Sequence, residues 1–324
     1  MSLTSHLRDA ASPVRQFVYA CAPDLAIAGT RGVAGAAMAA HFGFDDLTSL
    51  ETQIPVPAEV KPGQRRSHAA EAGTALDYRI RMDLPGFDVT HTIAWRGLSQ
   101  LEMNLDLVHR GKHLHTLLRE TLDFAFLTLK EKAPHPLSVA RVSVPLAWCE
   151  AIYRAGPSAL QGSLGRRIKR AKDSVELMMS IEDHLVLDIA QMHHPLTPLL
   201  DEWKDAIAGG SFFAPNPHLV AGQAIGGADA DLAIDDVLVE VKTREEITNP
   251  WLRDTLLQLL GYALLDIDDS LGIRRVAILL PRQPDIAIWE LDDILGREAE
   301  AALPDLRVEF AELLSAMLSE EPDD

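Results

Sequence analysis

The sequence predicts an α+β protein with a mixed β-sheet core flanked by helices and a largely helical N-terminal region. Residues 226–243 alternate apolar and other side chains on both sides of Asp235 and Asp236, which predicts two strands joined by a two-residue turn. A helical pattern follows, and after it come two further apolar runs typical of strands. A chain of 324 residues with 47% hydrophobic residues is long enough to bury a substantial core.

Three regions are expected along the chain. Residues 1–210 carry mainly helical patterns, residues 211–300 form the core, and residues 301–324 form a C-terminal helix with an acidic tail. A helix near residues 66–83 is expected to contribute to the core, and residues 89–95 have the character of a strand.

The predicted hairpin brings three acids and one amine onto a single face. With the turn at residues 235–236, Asp231 lies opposite Glu240 and Asp229 lies opposite Lys242. Since side chains repeat every second residue along a strand, all four project from one face. A one-residue slip would turn that face over, so the choice of Asp231 rather than Asp229 as the principal acid depends on the register.

This patch suits the metal-dependent hydrolysis of a phosphodiester. Mg²⁺ prefers carboxylate and water oxygens, which Asp231 and Glu240 supply. Lys242 is positioned to orient the attacking water, help deprotonate it or balance charge on the scissile phosphate. The alternative interpretation is a polar-faced hairpin in which Asp229 pairs with Lys242 and nothing reacts.

Residues 248–266 predict a helix directly after the hairpin. Asn249 is a suitable N-cap and Pro250 suits the first helical position. A broad apolar stripe runs along this helix, and Gln258 and Tyr262 lie one turn apart at its edge. The two strands that follow are predicted at residues 276–280 and 286–291.

These residues resemble the PD-(D/E)XK nuclease superfamily. The core of that superfamily carries an acid on one strand, E-x-K on the next strand, and a helix after it; the RecB-like branch adds Q-x-x-x-Y on the helix. Here the acid is Asp231, the E-x-K runs from Glu240 to Lys242, and the helical motif runs from Gln258 to Tyr262. In that branch the last two residues would approach the nucleic-acid backbone or buttress the site.

The resemblance covers residues 211–296 best and implies a restriction-endonuclease-like fold. It implies a site in which Asp231 and Glu240 hold Mg²⁺ or Mn²⁺, with the Val241 carbonyl assisting and Lys242 serving the water. The expected activity is that of a Mg²⁺-dependent nuclease, a hydrolase that cuts phosphodiester bonds; DNA is the favoured substrate, and the sequence leaves RNA open as the alternative. The alternative is a catalytically inactive nuclease-like fold that binds nucleic acid or a protein.

The family also places an acidic residue or a histidine on an earlier helix, usually after a glycine. Gly73 followed by Asp77 resembles this motif, which makes Asp77 the third metal-proximal group. Glu71 and His68 are alternatives if the helix register differs, and Glu202 is a further candidate. The competing interpretation is an amphipathic helix with solvated charges.

The charge balance argues against tight, nonspecific binding of duplex DNA. With 48 acidic and 30 basic residues the formal net charge is −18, whereas proteins that hold phosphates usually present a basic surface. A basic protein partner that presents the substrate would reconcile this charge with a nuclease. Two local clusters soften the objection, one at Arg65, Arg66, Arg79 and Arg81 and one at Arg166, Arg167, Lys169, Arg170 and Lys172; the second cluster is equally typical of a solvated helix face.

Other motifs narrow the class of protein. Two cysteines cannot form the four-thiolate iron-sulfur site found in some RecB-like nucleases, and no P-loop motif is present. No signal peptide or long apolar run is recognised, so we expect a cytoplasmic protein with no membrane partner. The resemblance fits a role in bacterial DNA repair, restriction or defence.

Overall fold

The computed structural model describes residues 2–28, 52–104, 106–217 and 219–320. The chain is α+β with a mixed sheet, as the sequence predicts. The helices are α1 (Leu3–Arg8), α2 (Pro13–Cys21), α3 (Pro23–Ala28), α4 (Arg65–Asp83), α5 (Ile93–Met103), α6 (Leu114–Leu129), α7 (Pro136–Ala155), α8 (Ser163–Arg170), α9 (Ser174–Met179), α10 (Asp183–His193), α11 (Thr197–Ala208), α12 (Asn249–Leu265), α13 (Leu291–Leu295) and α14 (Ala299–Glu320). The strands are β1 (Val108–His109), β2 (Lys112–His113), β3 (Phe213–Pro215), β4 (Leu232–Ile234), β5 (Val237–Val241), β6 (Arg275–Leu280) and β7 (Asp285–Glu290).

The chain divides into two compact units. The sheet unit comprises Met1–Gln53 and Ala206–Asp324, and the helical unit comprises Ile54–Asp205. This division differs from the expected one, which kept residues 1–210 together, because α1 and α2 pack on α12 of the sheet unit. The helix expected near residues 66–83 forms as α4 and belongs to the helical unit. The acidic tail at residues 321–324 lies outside the described residues.

The sheet unit is built on five strands in the order β3, β4, β5, β6, β7. Strands β5 and β6 are parallel, and the other neighbours are antiparallel. Antiparallel strands can be joined by a short turn, but a parallel pair needs a crossover, and here α12 provides it. This crossover sets α12 against the sheet next to β5 and β6.

Helix α12 lies at the centre of the apolar core of the sheet unit. The predicted stripe is buried, and α1, α2 and α14 pack against the same helix. Gly261 allows a close approach of α1, because a Cβ atom at this position would lie 3.0 Å from a methyl carbon of Leu3. The buried residues of the stripe are Leu252, Leu256, Leu259, Leu260, Ala263 and Leu264.

The helical unit packs α5, α6 and α4 around α7. Gly97 of α5 lies directly against α7, where a Cβ atom would come within 1.9 Å of the Cys149 carbonyl oxygen. The prediction of a strand at residues 89–95 is wrong: this segment forms a single 3-10 turn and the start of α5. Asp88 accepts a hydrogen bond from the Thr90 amide, and Thr92 caps α5, so capping outweighs the β propensity of the branched residues.

No helix among the described residues combines the length and apolarity needed to cross a bilayer.

Candidate active site

The hairpin has the predicted register. Strands β4 and β5 pair antiparallel with Ile234 opposite Val237, so the turn consists of Asp235 and Asp236. Asp235 has a φ of 50°, the left-handed conformation that a two-residue hairpin turn of this kind requires. The register decides which side chains of the two strands share a face.

Asp231 lies at the end of the hairpin, one residue before β4. Regular pairing with β5 ends at Leu232, and the side chain of Asp231 then takes over, because its Oδ2 accepts a hydrogen bond from the Val241 amide at 2.7 Å. The Asp231 carbonyl accepts from the Asn216 amide at 2.9 Å, which ties the same residue to the segment after β3. The carboxylate is therefore held beside the end of β5.

Glu240 and Lys242 lie at the end of β5, the central strand of the sheet. Glu240 is only 3% exposed, although it is an ionisable residue. Lys242 forms an ion pair with Oε1 of Glu240, and its backbone amide continues the pairing with β6 by donating to the Leu279 carbonyl. Lys242, which lies opposite Asp229 in the predicted register, thus contacts the glutamate of its own strand.

Helix α12 adds the two residues of the helical motif to this cluster. It begins at Asn249 with Thr248 at the N-cap position, one residue earlier than the predicted cap at Asn249 implies. Gln258 Nε2 donates to Oε1 of Glu240 at 3.3 Å and to the hydroxyl oxygen of Tyr262 at 2.7 Å. The glutamine therefore connects the acid on the strand with the tyrosine on the helix.

The negative charges of Glu240, Asp231 and Asp229 all act on the hydroxyl group of Tyr262. Burial raises the pKa of Tyr262 well above its ordinary value, and the negative charge of Glu240 raises it further. The hydrogen bond from Gln258 acts in the opposite direction, while the charges of Asp231 and Asp229 again raise the pKa. Tyr262 is consequently neutral at physiological pH and acts as a hydrogen-bonding group, not as a base.

The donor chemistry fits a hard divalent cation that keeps part of its water shell. Within the described residues, no three His, Cys, Asp or Glu side chains form a ready metal cage. Mg²⁺ is nevertheless commonly held by one or two carboxylates together with waters and substrate phosphates, and Asp231 and Glu240 provide two. A neighbouring negative charge at Asp229 favours a cation there as well.

The earlier candidates for a third metal-proximal group have partners inside the helical unit. Asp77 forms an ion pair with Arg81 one turn along α4. Glu71 accepts hydrogen bonds from Trp148 at 2.7 Å and from Arg167 at 2.5 Å.

The other two candidates also lie in the helical unit. His68 Nε2 lies 2.7 Å from the buried Asp188, while Glu202 is exposed on α11. The site described above is built by the sheet unit alone, and a role for Asp77 at it stays a prediction.

The two basic clusters that the sequence singled out are in part internally neutralised. Arg79 pairs with Asp83, and Arg81 pairs with Asp77. Arg167 is buried between two glutamates, and their charges raise its pKa despite the opposing effect of burial.

A groove beside the site is lined by Lys242 and Gln258 and by three arginines that the sequence patterns did not indicate, namely Arg8, Arg15 and Arg244. Arg244 follows Lys242 by two residues and could have been found from that spacing. No sequence signal points to Arg8 or Arg15, because only the packing of α1 and α2 on α12 brings them there.

Comparison of the chain with models of protein families, with curated proteins and with solved structures found no match.

Proposed function

We propose that this protein is a Mg²⁺- or Mn²⁺-dependent nuclease that hydrolyses phosphodiester bonds in DNA. In this proposal the sheet unit is a restriction-endonuclease-like core of the PD-(D/E)XK superfamily, RecB-like branch. The observation that carries it is the convergence of residues from a hairpin and a crossover helix at one carboxylate. The cluster consists of Asp231, Glu240, Lys242, Gln258 and Tyr262.

Each residue has a defined task in this proposal. Asp231 and Glu240 hold the metal, and the bound metal supplies an activated water and neutralises charge on the phosphate. Lys242 carries its ammonium group beside Glu240, where it orients the attacking water and offsets the charge that develops on the phosphate oxygens. Gln258 and Tyr262 fix the orientation of the Glu240 carboxylate.

The alternative of an inert polar hairpin explains the contacts less well. It gives no role to the ion pair between Lys242 and the buried Glu240. A carboxylate that is 3% exposed has also lost most of its hydration, a cost that an exposed polar hairpin does not incur. A catalytic site gives a reason for that cost.

The test is a cleavage assay with the full chain. Linear duplex, circular duplex and single-stranded DNA and RNA are incubated with the protein in Mg²⁺, Mn²⁺ or chelator. We expect metal-dependent cleavage of DNA by the wild-type protein and none by Lys242→Ala, because the ammonium group acts in the transition state. Since Lys242 is paired with the buried Glu240, its removal should lower the thermal unfolding transition, so cleavage is compared well below that transition and folding of both proteins is checked by circular dichroism.

Lys204→Ala is the matched control. Lys204 is 34% exposed and pairs with the exposed carboxylate of Asp201, so its replacement removes the same charge from a position outside the sheet unit. Cleavage by Lys204→Ala should equal that of the wild type. If Lys242→Ala cuts normally, the assignment of the site is wrong.

The net charge of −18 favours one second candidate, an inactive nuclease-like fold that binds nucleic acid or a basic protein. Absence of cleavage on every substrate and with both metals would favour the inactive, binding fold over the nuclease.

A further inference from the structure

A groove beside the candidate site has a composition unlike that of the whole chain. It has a volume of about 660 Å³ and lies within the sheet unit, where α1 and α2 meet the start of α12 and the segment after β5. Among its described lining residues are five basic side chains and one carboxylate, although acidic residues outnumber basic ones in the chain. The groove is therefore a local positive region.

Most of this positive charge is not neutralised by neighbours. In the part of the chain that the structure describes, Arg8, Arg15 and Arg244 form no ion pair with a carboxylate. Arg15 donates to the Leu7 carbonyl at 3.0 Å, and Arg244 donates to the Glu246 carbonyl at 2.7 Å; these bonds orient the guanidinium groups but leave their charge in place.

The acidic residue at the groove has a local partner. Asp254 is held by Arg253 at 2.8 Å, and Lys242 is paired with Glu240. Arg8, Arg15 and Arg244 are therefore the cations that this acid leaves available to an anion.

Two aromatic rings accompany the arginines. Arg15 lies over the ring of Tyr19 at 4.5 Å, and Arg244 lies over the ring of Trp251 at 5.7 Å. Both rings line the groove and are partly exposed. Cationic groups that alternate with accessible aromatic faces are the means by which proteins bind single strands, because phosphates pair with the cations and bases stack on the rings.

The groove is large enough to hold part of a single strand. Its volume lies in the range of about 300–1,000 Å³ that is typical of sites for small molecules, which is the scale of a nucleotide. A duplex presents its bases stacked and paired inside, where Trp251 cannot reach their faces. Lys242 and Gln258 line both the groove and the site, so a strand in the groove would extend to the candidate catalytic residues.

We propose that this groove binds unpaired nucleic acid, with Arg8, Arg15 and Arg244 on the phosphates and Trp251 stacked on a base. The inference rests on the proposed nuclease function for its biological meaning, and it makes single-stranded segments or strand ends the substrate. Binding itself needs no metal, because the contacts are made by the side chains of the groove.

The test is equilibrium binding in chelator, measured by the fluorescence anisotropy of a labelled strand of about 12 nucleotides and of the corresponding duplex. We expect the wild-type protein to bind the single strand on the order of tenfold more tightly than the duplex. The Arg15→Ala/Arg244→Ala variant should bind the single strand at least about tenfold more weakly. Because two phosphate contacts are removed, the slope of log K against log salt should fall in magnitude by about 1.4.

Trp251→Ala separates stacking from charge. Loss of one stacked base should weaken binding on the order of tenfold while leaving the salt slope unchanged. A merely structural role for Trp251 would instead lower the thermal unfolding transition without this selective effect on binding.

Arg166→Ala/Arg170→Ala is the matched control and also tests the rival basic cluster. Both arginines are exposed on α8, and the variant removes the same charge from the helical unit. We expect wild-type affinity and slope for it. Equal or tighter duplex binding, or weakening by this variant and not by the groove variant, would overturn the inference.

The outcome is distinguishable from that of the cleavage assay. Groove-dependent strand binding without cleavage would uphold the groove and reject the nuclease. Metal-dependent cleavage with wild-type binding by the groove variants would uphold the nuclease and reject the groove.

Discussion

Glu240 is the residue at which the contacts of the candidate site meet. Lys242 and Gln258 both donate to the same oxygen, Oε1, and so set the orientation of the carboxylate from two elements. Gln258 is in turn fixed by Tyr262. The orientation of the Glu240 carboxylate therefore depends, through Gln258, on the hydroxyl group of Tyr262 one helical turn further along α12.

Tyr262→Phe should weaken the proposed metal binding without removing the proposed ligands, Asp231 and Glu240. The variant leaves Gln258 without one of its partners, so Glu240 is held less firmly; outer partners of this kind typically contribute about 10- to 100-fold to metal affinity or activity. We expect the Mg²⁺ concentration for half-maximal cleavage to rise about tenfold. A metal titration of the cleavage rate measures this shift.

Tyr153→Phe is the control for Tyr262→Phe. Tyr153 is partly buried in the helical unit, and its replacement removes a hydroxyl group of the same kind. The control should require the same Mg²⁺ concentration as the wild type. An unchanged midpoint for Tyr262→Phe would show that the tyrosine does not position the site.

At this scale the sequence predicts the cluster but not its partners. The two-residue alternation and the turn place Glu240 and Asp231 correctly, because local geometry determines the register of a short hairpin. The pairing of Lys242 with Glu240 rather than Asp229 depends on side-chain rotamers, which alternation does not determine. Arg8 and Arg15 reach the groove through long-range packing, which has no local signal.

Among the elements, α12 has two roles at once. Its leucine stripe forms the core of the sheet unit, while Gln258 and Tyr262 on its edge contact the candidate site. The sequence predicts both faces because helical spacing is a local property. It also predicts β6 and β7, since each is a compact apolar run bounded by turn residues.

The strand predicted at residues 89–95 shows where local propensity is outweighed. Val89 and Ile93 are branched and favour strands, but Asp88 and Thr92 bind backbone amides that a helix start leaves unpaired. The Ala94 amide also donates to the buried Tyr78 hydroxyl at 3.1 Å, a contact that the sequence alone does not reveal.

Gly97→Ala tests the packing of α5 against α7. A Cβ atom would lie 1.9 Å from a backbone carbonyl oxygen, so the helices must separate to accept it. We expect the free energy of unfolding to fall by about 1–3 kcal/mol, as for other overpacked cores. Chemical denaturation measures the change.

Gly63→Ala is the matched control for this substitution. A Cβ atom at Gly63 has no neighbour within 4 Å, so the same added methyl group should leave stability nearly unchanged. If Gly97→Ala were as stable as Gly63→Ala, the close approach of the two helices would be wrong.

On the scale of the whole molecule, net charge and local charge lead to different expectations. A net charge of −18 disfavours nucleic acid, yet five of the residues that line the groove of the sheet unit are basic and one is acidic. Composition gives the net charge of the chain but not the local charge of the groove, because composition does not show which side chains lie together or which are neutralised. The same limit applies to the division into units, since α1 and α2 join the C-terminal part through contacts between residues far apart in the sequence.

His193 should make stability depend on pH. Burial lowers the pKa of His193 below its ordinary value of 6.5, and the hydrogen bond with Asp83 offsets only part of this effect. The unfolded chain therefore binds this proton more readily, so the free energy of unfolding decreases as the pH falls through 6.5 towards the lower folded pKa. His193→Gln should reduce the slope between neutral and mildly acid pH, by at most about 1.4 kcal/mol per pH unit.

Urea denaturation at a series of pH values measures this slope. The protonation of Asp83 falls outside the pH range of this measurement. Burial raises its pKa, but the hydrogen bond from His193 and the charge of Arg79 outweigh burial and hold it below 3.8, so its contribution is lost only in stronger acid. His113→Gln, at an exposed position, should keep the wild-type slope. Equal slopes for His193→Gln and the wild type would contradict the prediction.

The hydrogen bond from the Val241 amide to Asp231 has a consequence for descent. Because this carboxylate also closes the end of the hairpin, selection for a folded protein alone would retain it after catalysis had been lost. The constraint on Lys242 is different, because its ammonium group balances the charge of the buried Glu240 and does not close the backbone ladder. Among descendants of this chain, loss of Lys242 together with Glu240 while Asp231 persists would indicate that the proposed chemistry had been lost.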